Sequence, residues 1–171
     1  YVAYNGGFAF GVVAGGIEGP GALEWTTIAT TAGVPAGGLA AAGQHLYVSE
    51  RGGRISALFA PAAEAGRTLA PLDLIGTTTA VAVDPARPSV AFVAADQGGL
   101  GSVHLGSPGV EPLGYAFDGH YHGWLDVAGP LAVVNDAGSG DVLGLDADLY
   151  DIVQPDRPQR VGRFDALRWL Y

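Results

Sequence analysis

The residues of this chain whose types and spacing could do chemistry are concentrated in one stretch, DGHYHGWLD, from Asp118 to Asp126. His120 and His122 are two residues apart, so an extended strand would place both imidazoles on one side. That geometry suits a metal ion if Asp118 or Asp126 supplies a third ligand. The simpler interpretation, which we favour, is a polar and aromatic connection between strands whose histidines are exposed or hydrogen-bonded.

The functional interpretation of this stretch is a binding patch without a metal. Its predicted members are His120, Tyr121, His122 and Trp124, because aromatic rings beside polar groups are typical of recognition surfaces. The sequence predicts no catalytic residue and no dedicated metal ligand.

The other motifs in the sequence are weaker evidence for a function. The acidic series Asp141, Asp146, Asp148, Asp151 and Asp156 lacks the spacing of a calcium-binding loop, which favours a solvated acidic loop. The glycines of residues 98–101 are not followed by a helix that could hold a phosphate, so a hairpin turn is expected there. The serines occur without a G-x-S-x-G nucleophile elbow.

The elements that position these residues are predicted from a repeated pattern of two apolar strands around a polar turn. Gly-Gly pairs at 6–7, 52–53 and 98–99 are 46 residues apart, and Gly138-Ser139-Gly140 follows. Alternation of large apolar with small or polar residues on both sides of each turn is typical of half-buried strands. The pattern predicts four β-hairpins, at Leu46–Phe59, Tyr1–Val13, Ala91–Leu105 and Leu131–Asp146.

Two further strands accompany each hairpin. An apolar strand is predicted downstream at Leu23–Thr31, Leu69–Thr77, Glu111–Gly119 and Pro158–Ala166. Another strand, rich in small residues, precedes the next hairpin at Gly38–Gly43, Ala80–Asp84 and Trp124–Gly129. The unit therefore has four strands in about 43 residues, which is typical of a β-propeller blade.

The expected fold is all-β: a single-domain small β-propeller over residues 1–171, with four blades of four antiparallel strands. The C-terminal strand is expected to pair with the N-terminal blade and close the ring, which would remove exposed sheet edges. The alternatives are an excerpt of a larger propeller, or two chains that combine into an eight-bladed ring. The predicted blades are residues 1–33 plus 166–171, 34–78, 79–120 and 121–165.

The repeats resemble the LVIVD family of β-propeller repeats from exported or surface proteins of bacteria and archaea. The resemblance lies in Leu131–Asp136, Asp141–Asp146 and Pro155–Phe164, and it is clearest in the last blade. It implies a propeller fold and an exported location, and it brings no general catalytic motif.

The amino-acid composition limits the kinds of partner that the chain is expected to bind. Eight basic residues against seventeen acidic ones give a net charge of -9, which repels phosphates and so argues against nucleic acid. The absence of cysteine excludes disulfides and thiolate zinc sites. The apolar stretch Tyr1–Ile17 contains Asn5 and five glycines, which fits paired strands better than a membrane-spanning helix.

These observations predict a non-catalytic protein-interaction or scaffold module of an exported assembly, in the periplasm or on the cell surface. The expected partners are other proteins, and no cofactor is expected, although backbone carbonyls in a central channel could hold a cation. One alternative is a lactonase-like metal-dependent hydrolase with ligands at the channel mouth, where Asp84 and Asp126 are available. The other is a carbohydrate-binding module that uses Trp25, Trp124 and Trp169.

Overall fold

The computed structural model describes most of the backbone of the chain and, in its second half, most of the side chains. Side chains are described chiefly within residues 78–164, together with Gly38, Ala40 and Tyr47. The described backbone covers residues 2–5, 9–17, 23–32, 36–42, 45–50, 54–59, 67–68, 78–95, 98–105, 110–120, 122–136 and 146–164.

Every regular element in the described part of the chain is a β-strand. The strands are β1 (Val2–Asn5), β2 (Ala9–Ile17), β3 (Leu23–Ala32), β4 (Ala36–Ala42), β5 (His45–Glu50), β6 (Arg54–Phe59), β7 (Arg67–Thr68), β8 (Thr78–Val83), β9 (Val90–Ala95), β10 (Gly99–Leu105), β11 (Val110–Ala116), β12 (Leu125–Ala128), β13 (Leu131–Asn135), β14 (Ala147–Asp151) and β15 (Gln159–Phe164).

The strands form antiparallel sheets in which spatial neighbours follow chain order. The first sheet contains β1 to β3, and the next three contain β4 to β7, β8 to β11 and β12 to β15. This simple order arises because each connection joins a strand to its immediate neighbour, which an antiparallel pair allows with a short turn.

The sheet β8–β11 lies between its neighbours, and its inner strand β9 is buried on both faces. All six residues of β9 are buried, and alternate residues enter different cores. Ala91 and Val93 pack in a cluster with Tyr47 of β5, whereas Phe92 packs in a second cluster with Tyr150 of β14. The nearly continuous apolar run VAFVAA is therefore explained by a sheet covered on two sides.

Polar contacts also join the sheets β8–β11 and β12–β15. The guanidinium of Arg87, in the turn after β8, pairs with Asp84 at 2.6 Å and donates to the carbonyl oxygens of Ile152 and Val153 at 2.7 and 2.9 Å. Ser102 of β10 donates a hydrogen bond to the carbonyl oxygen of Pro155, which lies in the turn between β14 and β15. The turn between β14 and β15 is thereby held against the preceding sheet.

The prediction of a propeller with four blades of four strands, closed by the C-terminal strand, is wrong. The first sheet has three strands, and no sheet closes among the strands that the structure describes. The added strand was to come from residues 166–171, which lie outside the described residues. A repeat in the sequence indicates how each sheet forms locally, but closure requires contacts between distant ends that no local pattern encodes.

The hairpins themselves are largely where the pattern placed them. Those around the three Gly-Gly pairs are confirmed by the pairing of β1 with β2, β5 with β6, and β9 with β10. The fourth is shifted, since β13 pairs with β14, which begins at Ala147 rather than within Asp141–Asp146. The strand predicted at Leu69–Thr77 lies outside the described residues, and the fourth strand of its sheet is the two-residue β7.

Candidate functional site

The histidine-rich stretch forms the connection between β11, which ends at Ala116, and β12, which begins at Leu125. Asp118 starts it by accepting a hydrogen bond from the backbone N–H of His120 at 2.9 Å, an arrangement typical of an Asx turn. Gly119 lies between them with a φ of 75°, in the left-handed region that glycine adopts without strain. The local sequence thus turns the chain so that both histidines face the sheet β12–β15.

His122 is fully buried, with an acceptor at each ring nitrogen. Its Nδ1 lies 2.7 Å from the carbonyl oxygen of Asn135, and its Nε2 lies 2.9 Å from Oδ2 of Asp118. Burial alone lowers the pKa of a histidine, but the hydrogen bonds to Asp118 and Asn135, with the nearby charges of Asp118 and Asp148, outweigh it and raise the pKa of His122. Both ring nitrogens of His122 therefore face acceptors, and the raised pKa favours the charged ring that pairs with Asp118.

Asp118 is surrounded by hydrogen-bond donors. Besides His122 and the backbone of His120, the hydroxyl of Tyr150 donates to its Oδ2. Burial opposes ionisation, but the hydrogen bonds from His122, Tyr150 and His120 together lower the pKa of Asp118 to about 2. The pKa of Tyr150 is raised, first by burial and then by its hydrogen bond to the Asp118 carboxylate. The connection is thus fastened to β14.

His120 turns toward other carboxylates. Its Nδ1 lies 2.9 Å from Oδ2 of Asp148 and 3.4 Å from Oδ2 of Asp136. The side chain of His120 is 31% exposed, whereas those of Asp148 and Asp136 are 0% and 1% exposed. His120 therefore covers buried carboxylates while one side of its ring faces solvent.

Two arginines of β15 complete this cluster. The Nε of Arg160 donates to Oδ1 of Asp148 at 2.8 Å. Arg163 bridges two carboxylates, with Nη1 at 2.9 Å from Asp136 and Nη2 at 2.6 Å from Asp146. We call the set of Asp118, His120, His122, Asp136, Asp146, Asp148, Arg160 and Arg163 the charged cluster.

The structure brings together only part of the predicted binding patch. His120 and His122 lie in the charged cluster with ring centroids 6.4 Å apart, but they contact different carboxylates. Trp124 is 46% exposed, and its backbone N–H donates to the side chain of Asn135 at 2.6 Å. Tyr121 lies outside the described residues. Asp126 is exposed and accepts from the N–H of Val127, so it is not the third ligand considered beside Asp118.

Sequence reasoning missed the residues of the charged cluster that lie on other strands. The interpretation of the acidic series as a solvated loop is wrong for Asp146 and Asp148, which are buried, and confirmed for Asp156, which is exposed in the turn after β14. Asp151 is exposed but belongs to β14, and Asp141 lies outside the described residues. One signal was available: Asp148 and Tyr150 are two apart on β14, and an acidic residue in phase with a buried aromatic faces the core.

Two sets of residues in the cluster could hold a metal ion. One consists of Asp118, His122 and Asp148, and the other of His120, Asp136 and Asp148. Within each set the candidate ligand atoms lie within 4.8 Å of one another. Asp84, which the hydrolase hypothesis placed at the channel mouth, belongs to neither set. It lies in the turn after β8, where its carboxylate accepts a hydrogen bond from the backbone N–H of Ala86 and pairs with Arg87.

Comparisons with known proteins identify a fold and no family. No family model matches the chain, and no curated protein matches it. The chain is similar to a computationally designed protein, Ika8, with a TM-score of 0.60 and 13% identity over 95% of this chain and 48% of that one. The designed protein Ika4 gives 0.57 and 14% over 76% and 72%. A chain of a mitotic checkpoint complex gives 0.67 and 10% over 96% and 51%.

These similarities are informative about architecture alone, because the identities are low. They support an all-β, repeat-like fold. The chain spans about half the length of two of the three matched structures. In the described residues, no helix has the length and apolar character needed to cross a membrane.

Proposed function

We propose that this chain is a non-catalytic protein-interaction module, built of antiparallel β-sheets, that docks to a protein through the outer face of the sheet β12–β15. The supporting observation is a row of apolar side chains on that face that stays partly exposed. We call this surface, formed by Leu131, Val133, Leu149 and Phe164, the docking face.

The pairing register defines the docking face. The opposite face of the same sheet is buried against β8–β11, where Ala132, Val134 and Tyr150 are all 0% exposed. Side chains alternate between faces, so Leu131 and Val133 point away from that core, and Leu149 is paired with Val133. Phe164 is paired with Ala147, which is two residues from Leu149 on β14, so the side chain of Phe164 lies on the same face as that of Leu149. Leu131 and Phe164 are 37% and 48% exposed.

The occupant that we propose for this face is a second copy of the chain. Within the molecule, apolar sheet faces are covered by other sheets, since β8–β11 has a neighbour on each side. Two of the matched structures are about twice as long as this chain, a length that two copies of the chain would match. A second copy supplies sheets of the same kind.

Charge should oppose this association. Each chain carries a net charge of -9, and exposed Asp126 and Asp151 lie near the docking face. Two such chains repel at low ionic strength, whereas the apolar contact is not screened by salt. Self-association through the docking face should therefore strengthen as salt is added, while binding of a basic partner would weaken.

Sedimentation velocity on the purified chain, over micromolar to near-millimolar concentrations and at two salt concentrations, tests this proposal. We expect a salt-enhanced dimer that is lost in Phe164→Asp and in Leu131→Asp. The matched control is Phe117→Asp, because Phe117 is 61% exposed and lies in the connection outside the sheet. Circular dichroism should be unchanged in all three variants.

A chain that stays monomeric over this range, or a dimer that persists in both docking-face variants, would overturn the proposal. The exported location and the resemblance to LVIVD repeats remain predictions within it. Saturable quenching of Trp124 fluorescence by glycans would favour the carbohydrate-binding alternative instead, and metal-dependent turnover of lactones would favour the hydrolase.

A further inference from the structure

The charged cluster contains more negative than positive fixed charge. Four carboxylates, from Asp118, Asp136, Asp146 and Asp148, meet the guanidinium groups of Arg160 and Arg163. Uncompensated charge is costly in a buried position. One divalent cation would offset the excess of two carboxylates over guanidinium groups.

The distances around Asp148 are compatible with an ion. Two ligand atoms about 2.1 Å from one metal lie about 3.0 Å apart at a right angle and about 3.4 Å apart at the tetrahedral angle. The Nδ1 of His120 lies 2.9 Å from Oδ2 of Asp148 and 3.4 Å from Oδ2 of Asp136. These separations need only small adjustments to coordinate a common ion.

The contacts around the site direct one oxygen of each carboxylate toward His120. Arg160 engages Oδ1 of Asp148, so Oδ2 faces His120. Oδ2 of Asp136 lies 3.4 Å from the same ring nitrogen and also pairs with Nη1 of Arg163 at 2.9 Å, so an ion would share this oxygen with the guanidinium.

The donor set indicates the class of metal. Imidazole and carboxylate ligands suit Zn²⁺ and other divalent first-row transition metals, whereas Ca²⁺ and Mg²⁺ favour oxygen-only sites. Cysteine is absent from the chain, which disfavours soft ions such as Cu(I).

We propose that His120, Asp136 and Asp148 bind one divalent transition-metal ion of the Zn²⁺ class. The ion joins the connection Phe117–Trp124 to β13 and β14. This inference does not depend on the docking proposal, because it concerns a different face of the sheet and a different ligand.

Titration of the chelator-treated 171-residue chain with Co²⁺ and Zn²⁺ tests the site. We expect one Co²⁺ per chain, with visible absorption bands of a low-symmetry N/O site that added Zn²⁺ abolishes, and a rise in melting temperature that Ca²⁺ does not produce. X-ray absorption of the zinc form should show imidazole nitrogen at about 2.0–2.1 Å.

The decisive variant is His120→Gln, because its partly exposed side chain can be replaced without opening the core. Binding should weaken at least about tenfold, since even an outer-shell partner of a metal site contributes 10–100-fold. His104→Gln is the matched control, since His104 lies on β10 outside the cluster. An absence of saturable binding, or equal affinity in His120→Gln and the control, would overturn the proposal.

Discussion

Replacement of Asp118 by Asn should strongly destabilise the chain, because every polar contact of this side chain is with a donor. Oδ2 accepts from His122 and Tyr150, and Oδ1 accepts from the backbone of His120. An asparagine keeps the shape but directs an NH2 group at one of these donors and leaves His122 without its counter-charge. The side chains of His122 and Asp118 are 0% and 6% exposed, so little water can compensate.

The expected loss is about 3–5 kcal/mol of the free energy of unfolding, as for other buried ion pairs with one partner removed. This is a large fraction of the roughly 5–15 kcal/mol that stabilises a typical domain. With a urea m-value of about 2 kcal/mol/M for a chain of this size, the midpoint should fall by about 2 M. Urea unfolding at neutral pH with a chelator, followed by tryptophan fluorescence, measures the shift.

Asp126→Asn is the control for this experiment, because that carboxylate is exposed; it should change the stability by less than about 0.5 kcal/mol. Tyr150→Phe should lie between the two, since it removes one donor and leaves the ion pair. A loss of less than about 1 kcal/mol in Asp118→Asn, with an unchanged m-value, would show that the ion pair does not form.

A pH dependence of stability and the effects of substitutions at Gly114 and Arg87 are also expected. In the presence of a chelator, the contribution of His122 to the free energy of unfolding should be complete below its ordinary pKa of 6.5. It should decline as the pH rises through the raised pKa of the folded state. The Asp118 contribution should be complete above 3.8 and decline as the pH falls toward about 2. Gly114→Ala should cost about 1–3 kcal/mol because its Cβ would meet the backbone of the turn after β14, whereas Gly162→Ala should be tolerated. Arg87→Lys should cost about 1–3 kcal/mol because lysine cannot reproduce three directed hydrogen bonds.

Each of these results has its own control. His122→Gln should remove the decline above pH 6.5, and a variant that keeps it would assign the titration to another group. The glycine pair is compared by thermal melting, and equal losses at both positions would refute the close approach at Gly114. Arg157→Lys, at an arginine that is 75% exposed, should be silent in urea unfolding; an equal loss there would refute the bridging role of Arg87.

The strands could be predicted because their signals are local. A Gly-Gly turn between alternating residues determines how a hairpin folds, and β5 with β6 needs nothing else from the chain. The number of strands in the first sheet and the closure of a ring depend on contacts between remote segments, and the prediction failed there. Likewise, β14 was misplaced because residues 141–146 alternate almost as well as the strand that follows them.

Only the residues of the candidate site that are close together in the sequence could be predicted. The spacing of Asp118, His120 and His122 singled out the connection, but Asp148 is 28 residues from His120 and reaches it through the register of β13 and β14. A lone sequence does not reveal that register. Without the register, the phase of Asp148 with Tyr150 was the one signal that separated a buried aspartate from the exposed ones that follow it.

The side chain of Asn135 has a consequence for slow local motions of the chain. Its Oδ1 accepts from the backbone N–H groups of both Gly123 and Trp124, at 2.6 Å each, just before β12 begins. One amide oxygen thus extends the edge of the sheet beyond Leu125, where the carbonyl of Trp124 also accepts from the backbone N–H of Asn135 at 3.3 Å. In hydrogen–deuterium exchange these two amides should be retained as long as those of β12, although they belong to a loop. The boundary at which the sheet opens is then determined by an amide on a neighbouring strand.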